Sequence, residues 1–221
     1  MDGYVVISGD RAAKLNHLRG ELYGWGNVSL LSEVAVGICG SRKASEHGLA
    51  YAFELGQLAA QYGLVVVSGH AAGVDQHAHQ GAIQAGGQTI AVLPEGIGRF
   101  RPRRALRDVL TGGNFLAVSE FQPEAPWTAW RAMQRNATMI ELADAMFVVE
   151  AGETGGTIDA GKETLRAGKP LFVLEFLHER PQTRGNHLLL ERGATPVANM
   201  KELKRALEQV KDRQLVSHRL F

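Results

Sequence analysis

From Val34 onward the chain repeats one grammar: a run rich in β-branched residues stops at glycines and small polar residues, and a segment of helical period follows. Parallel βαβ units read this way, because each crossover helix returns the chain to begin another strand in the same direction. The apolar runs lie at 34–39, 64–68, 89–93, 115–119, 145–150 and 170–175, with helical segments at 45–62, 73–85, 103–110, 127–143 and 158–167 between them. Segments 186–191 and 201–210 read as closing helices. The expectation is an α/β fold in one main domain at 34–221, with a doubly wound, mostly parallel sheet of the extended Rossmann-like kind. Residues 1–33 hold a helix-compatible stretch at 11–22 but no βα repeat, and read as an N-terminal appendage.

Composition removes several classes of function. Twenty-four Lys plus Arg against 23 Asp plus Glu leave a formal charge of +1, so any site for a polyanion has to be local. A hydrophobic fraction of 45% argues against intrinsic disorder. The single cysteine, Cys39, excludes an intrachain disulfide framework, and the opening MDGYVVISGD lacks the basic and apolar regions of a signal peptide. A reducing cytoplasm is the expected location. No apolar run approaches the roughly 18 residues that span a bilayer, so no membrane partner is expected.

In doubly wound sheets the ligand sits beyond the carboxyl ends of the strands, so the loops after the strands should carry the chemistry. The first places Gly40, Ser41 and Arg42 just before a helix with Ser45 as its N-cap, a grouping suited to an anion. The second brings Ser68, Gly69 and Gly73 to a helix that opens with Asp75. A metal reading of His70, Asp75, His77 and His79 fails because His77 and His79, two apart, diverge on a helix; neither a metal nor a cofactor is expected. The third loop leads into Arg99, Arg101, Arg103, Arg104 and Arg107, five arginines in nine residues with no acid among them and Phe100 interleaved. That density suits phosphate contacts beside a stacking surface. Trp127, Trp130, Arg131, Arg135 and Asn136 follow at the start of the next helix. The last loop offers Gly155, Gly156 and Thr157 to an anion, but it lacks the GK[ST] ending that Mg-dependent NTP hydrolysis requires. Glu153 and Glu163 leave a hydrolytic role open as candidate catalytic carboxylates.

These loops resemble the core of the DNA processing protein A family, also called DprA or Smf. The resemblance is carried by GSRKAS from Gly40, SGHAAGVDQHAH from Ser68, TIAVLPEGI from Thr89, SE at Ser119, QRN at Gln134 and FVVEAGETGGT from Phe147. GKP at Gly168, GN at Gly185 and RGA at Arg192 complete the family's order. It implies a cytosolic, dimeric protein without turnover that binds single-stranded DNA and passes it to a RecA-type recombinase during uptake of transforming DNA. It places Gly40, Ser41 and Arg42 on the family's first phosphate-contacting loop, Ser68, Gly69, Gly73 and Asp75 on its second, and Arg135 with Asn136 on its arginine-asparagine pair. The chain departs from the pattern at Ala72 and Ala137, where the family commonly has arginine, and reads as the core without the winged helix or helical N-terminal domain of many members. Gly155-Gly156-Thr157 is closer to the wider nucleotide-binding superfamily of Lonely Guy-type phosphoribohydrolases and molybdenum cofactor carriers. The competing expectation is therefore a sensor or N-glycosidic hydrolase for a small nucleotide ligand.

Overall fold

The computed structural model describes residues 3–8, 15–18, 20–107, 109–176 and 180–217. The strands are β1 (Val5–Ile7), β2 (Leu22–Gly26), β3 (Ala35–Cys39), β4 (Val65–Ser68), β5 (Thr89–Val92), β6 (Phe115–Ser119), β7 (Ala145–Val148), β8 (Leu171–Leu174) and β9 (Thr195–Val197). Between and after them run α1 (Glu46–Gln61), α2 (Val74–Gln84), the single turn α3 (Arg104–Arg107), α4 (Ala129–Leu142), α5 (Gly156–Arg166), α6 (Arg184–Leu190) and α7 (Met200–Ser217). The six expected strands and their crossover helices are all present. The helix expected at 103–110 is reduced to α3, and residue 108 lies outside the described residues.

The sheet order is β1-β2-β6-β5-β4-β3-β7-β8-β9, parallel from β6 through β9 and antiparallel where β1 meets β2 and β2 meets β6. Strand order reverses between β3 and β7, and there the loops leaving the two strands part to opposite sides of the sheet and open a crevice. Alternate strand residues feed two apolar layers. Val36, Ile38, Val66 and Phe147 pack under α1, α2 and α7, whereas Val65, Val67, Val92, Met146 and Val148 pack under α4, α5 and α6. The result is a three-layer α/β/α sandwich whose central strands are buried on both faces, which is why they read as uninterrupted apolar runs.

The segment expected as an appendage contributes β1 and β2 to the same sheet, and Leu15, Leu22, Leu30 and Leu31 to its core. His17 fastens this segment to α4 through Nδ1 and Glu141 Oε2 at 2.7 Å. Part of the helix-compatible stretch, 11–14 and 19, lies outside the described residues. Two further devices fix the loops of the crevice. Ser45 caps α1 by accepting from Gly48 N at 3.1 Å, as its position before a helical run suggests. Buried Asn186 accepts from Ala151 N at 2.7 Å and donates to Val149 and Leu174 carbonyls at 2.8 Å, tying the loop after β7 to β8 and α6. Among the described residues no helix is long and apolar enough to cross a membrane.

Candidate functional site

Two adjoining cavities of about 350 Å³ each lie along the carboxyl ends of β7, β3, β4 and β5. The first sits at the switch point, between Gly40 and Arg42 after β3, Gly156 and Thr157 at the start of α5, and Met133, Arg135 and Asn136 on α4. The second lies beyond Arg42 toward β5 and is lined by Gly69, His70, Glu95, Arg99, Arg101 and Arg103. Arg42, Ala71, Trp127 and Arg135 line both, so the two are lobes of one groove.

Arg135 is the pivot of the site. Its side chain is only 6% exposed although it is charged, and a Cβ on Gly69 would overlap its guanidinium. The glycine there is a requirement of close approach and not only of a tight turn. Burial pulls the Arg135 pKa down, and buried Asp75 opposes that pull; burial in turn raises the Asp75 pKa, and Arg135 opposes it. Asp75 Oδ2 also accepts from Ala71 N at 3.2 Å and so shapes the second loop. Gly73 caps α2 at φ +80°, where a Cβ would strike the Ser41 carbonyl. The first and second loops are thereby locked face to face.

The remaining cations are positioned by backbone carbonyls. Arg103 Nε donates to His70 O at 3.1 Å, Arg101 Nη1 to Phe100 O at 2.7 Å, and Arg99 Nε to Glu124 O at 2.7 Å. Arg42 lies over the Trp127 ring, 5.6 Å from its centroid. None of these four arginines, nor Arg135, forms an ion pair with a carboxylate among the described residues. Five arginines against the two carboxylates Asp75 and Glu95, with no salt bridge formed between them among the described residues, make the groove a receptor for anions.

Some expected residues also serve the scaffold. The buried Ser68 hydroxyl donates to Ile38 O at 2.6 Å and lines neither lobe. The Ser41 amide is taken by Glu150 O at 2.8 Å, and its hydroxyl accepts from Lys43 N at 3.0 Å. Asn136 donates to Gly156 O at 3.2 Å and thus steadies the start of α5, with Gly155 in a glycine-favouring conformation at φ +107°. Arg104 is exposed on α3 and lines neither lobe. Glu153 pairs with Arg184 at 3.4 Å and Glu163 with Arg166 at 2.8 Å, both at the surface and both outside the groove. The carboxylates that do line it are Asp75 and Glu95.

Met133 in the first lobe and Glu95 in the second escaped the reading of the sequence, which offers no local signal for either. His70 is a further surprise: a non-glycine residue at φ +58°, 7% exposed, whose Nδ1 is buried with no hydrogen-bond partner. Burial pushes its pKa down to about 4. His79 is fully buried, its Nδ1 meeting Thr89 Oγ1 at 2.6 Å, and His77 Nδ1 lies 2.8 Å from Gly73 O. Among the described residues no three His, Cys, Asp or Glu side chains converge as metal ligands. Cys39 lines the first lobe, its thiol pushed up to about 12 by burial. A third cavity of about 580 Å³ lies on the other side of the β3 loop, where the buried Glu150 carboxylate accepts from Ser45 N at 2.9 Å and from the Ser45 hydroxyl, and so serves the start of α1.

A model of the family described as DNA recombination-mediator protein A matches residues 11–208. The chain is 32% identical over 187 residues to Protein Smf of Escherichia coli, covering 83% of this chain and 50% of that one. It spans half to about three fifths of this and two further curated relatives, between 50% and 62% of their lengths. Among solved structures, DNA processing protein A from Helicobacter pylori, described with its single-stranded DNA binding mode, superposes with a TM-score of 0.81 at 25% identity, covering 93% of this chain and 96% of that one. The molybdenum cofactor binding protein of Rippkaea orientalis, at 21% identity, a TM-score of 0.59 and coverage of 80% and 97%, shares the fold.

Proposed function

We propose that this chain, which belongs to the DNA recombination-mediator protein A family, holds single-stranded DNA along the groove at the ends of its parallel strands. The observation that carries the reading is the set of arginines, Arg42, Arg99, Arg101, Arg103 and Arg135, converging on one groove with no carboxylate salt-bridged to any of them among the described residues. Arg42 and Arg135 hold the backbone where the lobes join; the loops at Gly40, Gly69, Gly156 and Thr157 offer amides and a hydroxyl to its phosphates, and Arg104 adds charge outside. Trp127, half exposed beside Arg42, offers a face on which a base can stack. Family membership extends the proposal to a cytoplasmic homodimer that delivers the strand to a RecA-type recombinase in DNA-mediated transformation.

A second reading, a small nucleotide as ligand, is favoured by the size of the first lobe and by its position at the N-terminus of α5, which suit one nucleotide phosphate. Glu153 and Glu163, the carboxylates a hydrolytic role would call on, lie outside the groove, so this reading is one of ligand binding.

The test is a titration of labelled oligothymidylate at several salt concentrations. Affinity should fall linearly in log–log form, and Arg42→Ala should weaken binding about tenfold and reduce the slope by about 0.7, the counterion release of one single-strand phosphate. A slope near zero, or one that Arg42→Ala leaves unchanged, contradicts the assignment.

A further inference from the structure

We propose that the second lobe receives the terminal phosphate of a nucleic-acid strand, so that this chain grips a phosphorylated strand end in preference to an internal stretch. The inference rests on the strand-binding reading above and adds to it where along the strand the protein sits.

Three observations lead there. The first is charge. Five arginines and one carboxylate, Glu95, line about 350 Å³. An internal phosphodiester brings a single negative charge to such a lobe, whereas a terminal phosphomonoester brings nearly two and a third free oxygen to accept from a guanidinium.

The second is the way the groove ends. A strand passing from the switch point over Arg42 and Trp127 runs toward β5, and beyond β5 it meets two joined loops. There the loop after β6 is bonded across the loop after β5, through Gly96 N to Ala125 O at 2.9 Å, Gly98 N to Pro123 O at 3.0 Å and Arg99 Nε to Glu124 O at 2.7 Å. A continuous strand would have to climb out over this barrier, while a strand end can stop against it.

The third is the way the arginines are held at this end. His70 lines the lobe and is more than nine-tenths buried. Nε2 of the same ring lies 3.4 Å from Arg101 O, and Arg103 holds the His70 carbonyl, so the ring and two of the arginines form one preset unit.

The experiment compares oligothymidylates of one length carrying a 5′-phosphate, a 3′-phosphate or hydroxyls at both ends, together with a hydroxyl-ended strand one nucleotide longer as a control for total charge. The full chain should bind one of the two phosphorylated strands about tenfold more tightly than either hydroxyl-ended strand, and the favoured end gives the polarity. Arg101→Gln or Arg103→Gln should bring that ratio toward one, whatever each does to affinity as a whole. Arg101 is exposed and bonds only to carbonyls of its own turn, so its variant retains the fold if Arg103→Gln does not. Equal binding of all four strands overturns the inference and leaves strand binding standing, as does a preference that survives both substitutions. Failure of every strand to bind removes the strand-binding reading and this inference with it.

Discussion

Arg135→Met should cost about 3 kcal/mol of unfolding free energy and, separately, nearly all strand affinity. The stability loss comes from what the substitution leaves behind. Asp75 is 5% exposed, and Arg135 is the charge that opposes its desolvation; without it a buried carboxylate stands uncompensated. The double variant Asp75→Asn/Arg135→Met removes both charges and should recover most of that free energy in urea titrations, because the amide oxygen can still accept from Ala71 N. Binding should not recover, since Arg135 lines both lobes and no other cation occupies its place. If the double variant is no more stable than the single one, the two residues are not an electrostatic pair. If it binds oligothymidylate like the original chain, Arg135 is a scaffold residue only.

Acid should weaken the fold well before ordinary carboxylates titrate. Burial holds the His70 pKa down at about 4 and His79 well below the usual histidine range. A group whose pKa is depressed in the folded state contributes stability that is complete above its unfolded value near 6.5 and is lost as pH falls toward the folded value. His70 alone then accounts for about 2 kcal/mol lost between pH 7.5 and 5, and His79 acts in the same direction. Asp75 and Glu95, both raised by burial, act in the opposite direction over part of this range. The His70 contribution is therefore read as a difference: His70→Asn, which tolerates the left-handed backbone, should lose about 2 kcal/mol less than the original chain over the same interval. Identical pH dependence in the two chains would show that the His70 ring is protonated and solvated in the folded state.

The parallel core was legible because strands buried on both faces have to be continuously apolar, and Val34 to Cys39 and Leu64 to Ser68 carry that signature in full. The edges were not. β2 reads LYGWG, whose glycines break any alternation, β1 has three residues, and β9 is TPV, with a proline that an edge strand tolerates. These strands exist because a neighbouring strand is there to pair with, which is a tertiary fact.

The groove shows the same division. Arg42, Gly69 and the 99–103 arginines were legible from charge and glycine placement in loops after strands, and Arg135, on α4, from the resemblance of Gln134-Arg135-Asn136 to the family's arginine-asparagine pair. What stayed hidden was the division of labour. Ser68 and Ser41 look like phosphate ligands in a linear reading, and only the packing of β3 against β4 and β7 shows their groups bonded to Ile38, Lys43 and Glu150. Glu153 within the last glycine loop and Glu163 on the helix behind it look like site carboxylates in sequence but are exposed, each beside an arginine.

The most direct test of the central claim, that the groove holds a strand and not a single nucleotide, is displacement. Labelled oligothymidylate is bound at fixed salt, and thymidine monophosphate or adenosine monophosphate is added in large excess, with anisotropy as the readout. A strand engaging both lobes should stay bound, because a mononucleotide can occupy only one of them. Ready displacement by either mononucleotide would contradict the account and make the switch-point lobe a small-nucleotide site.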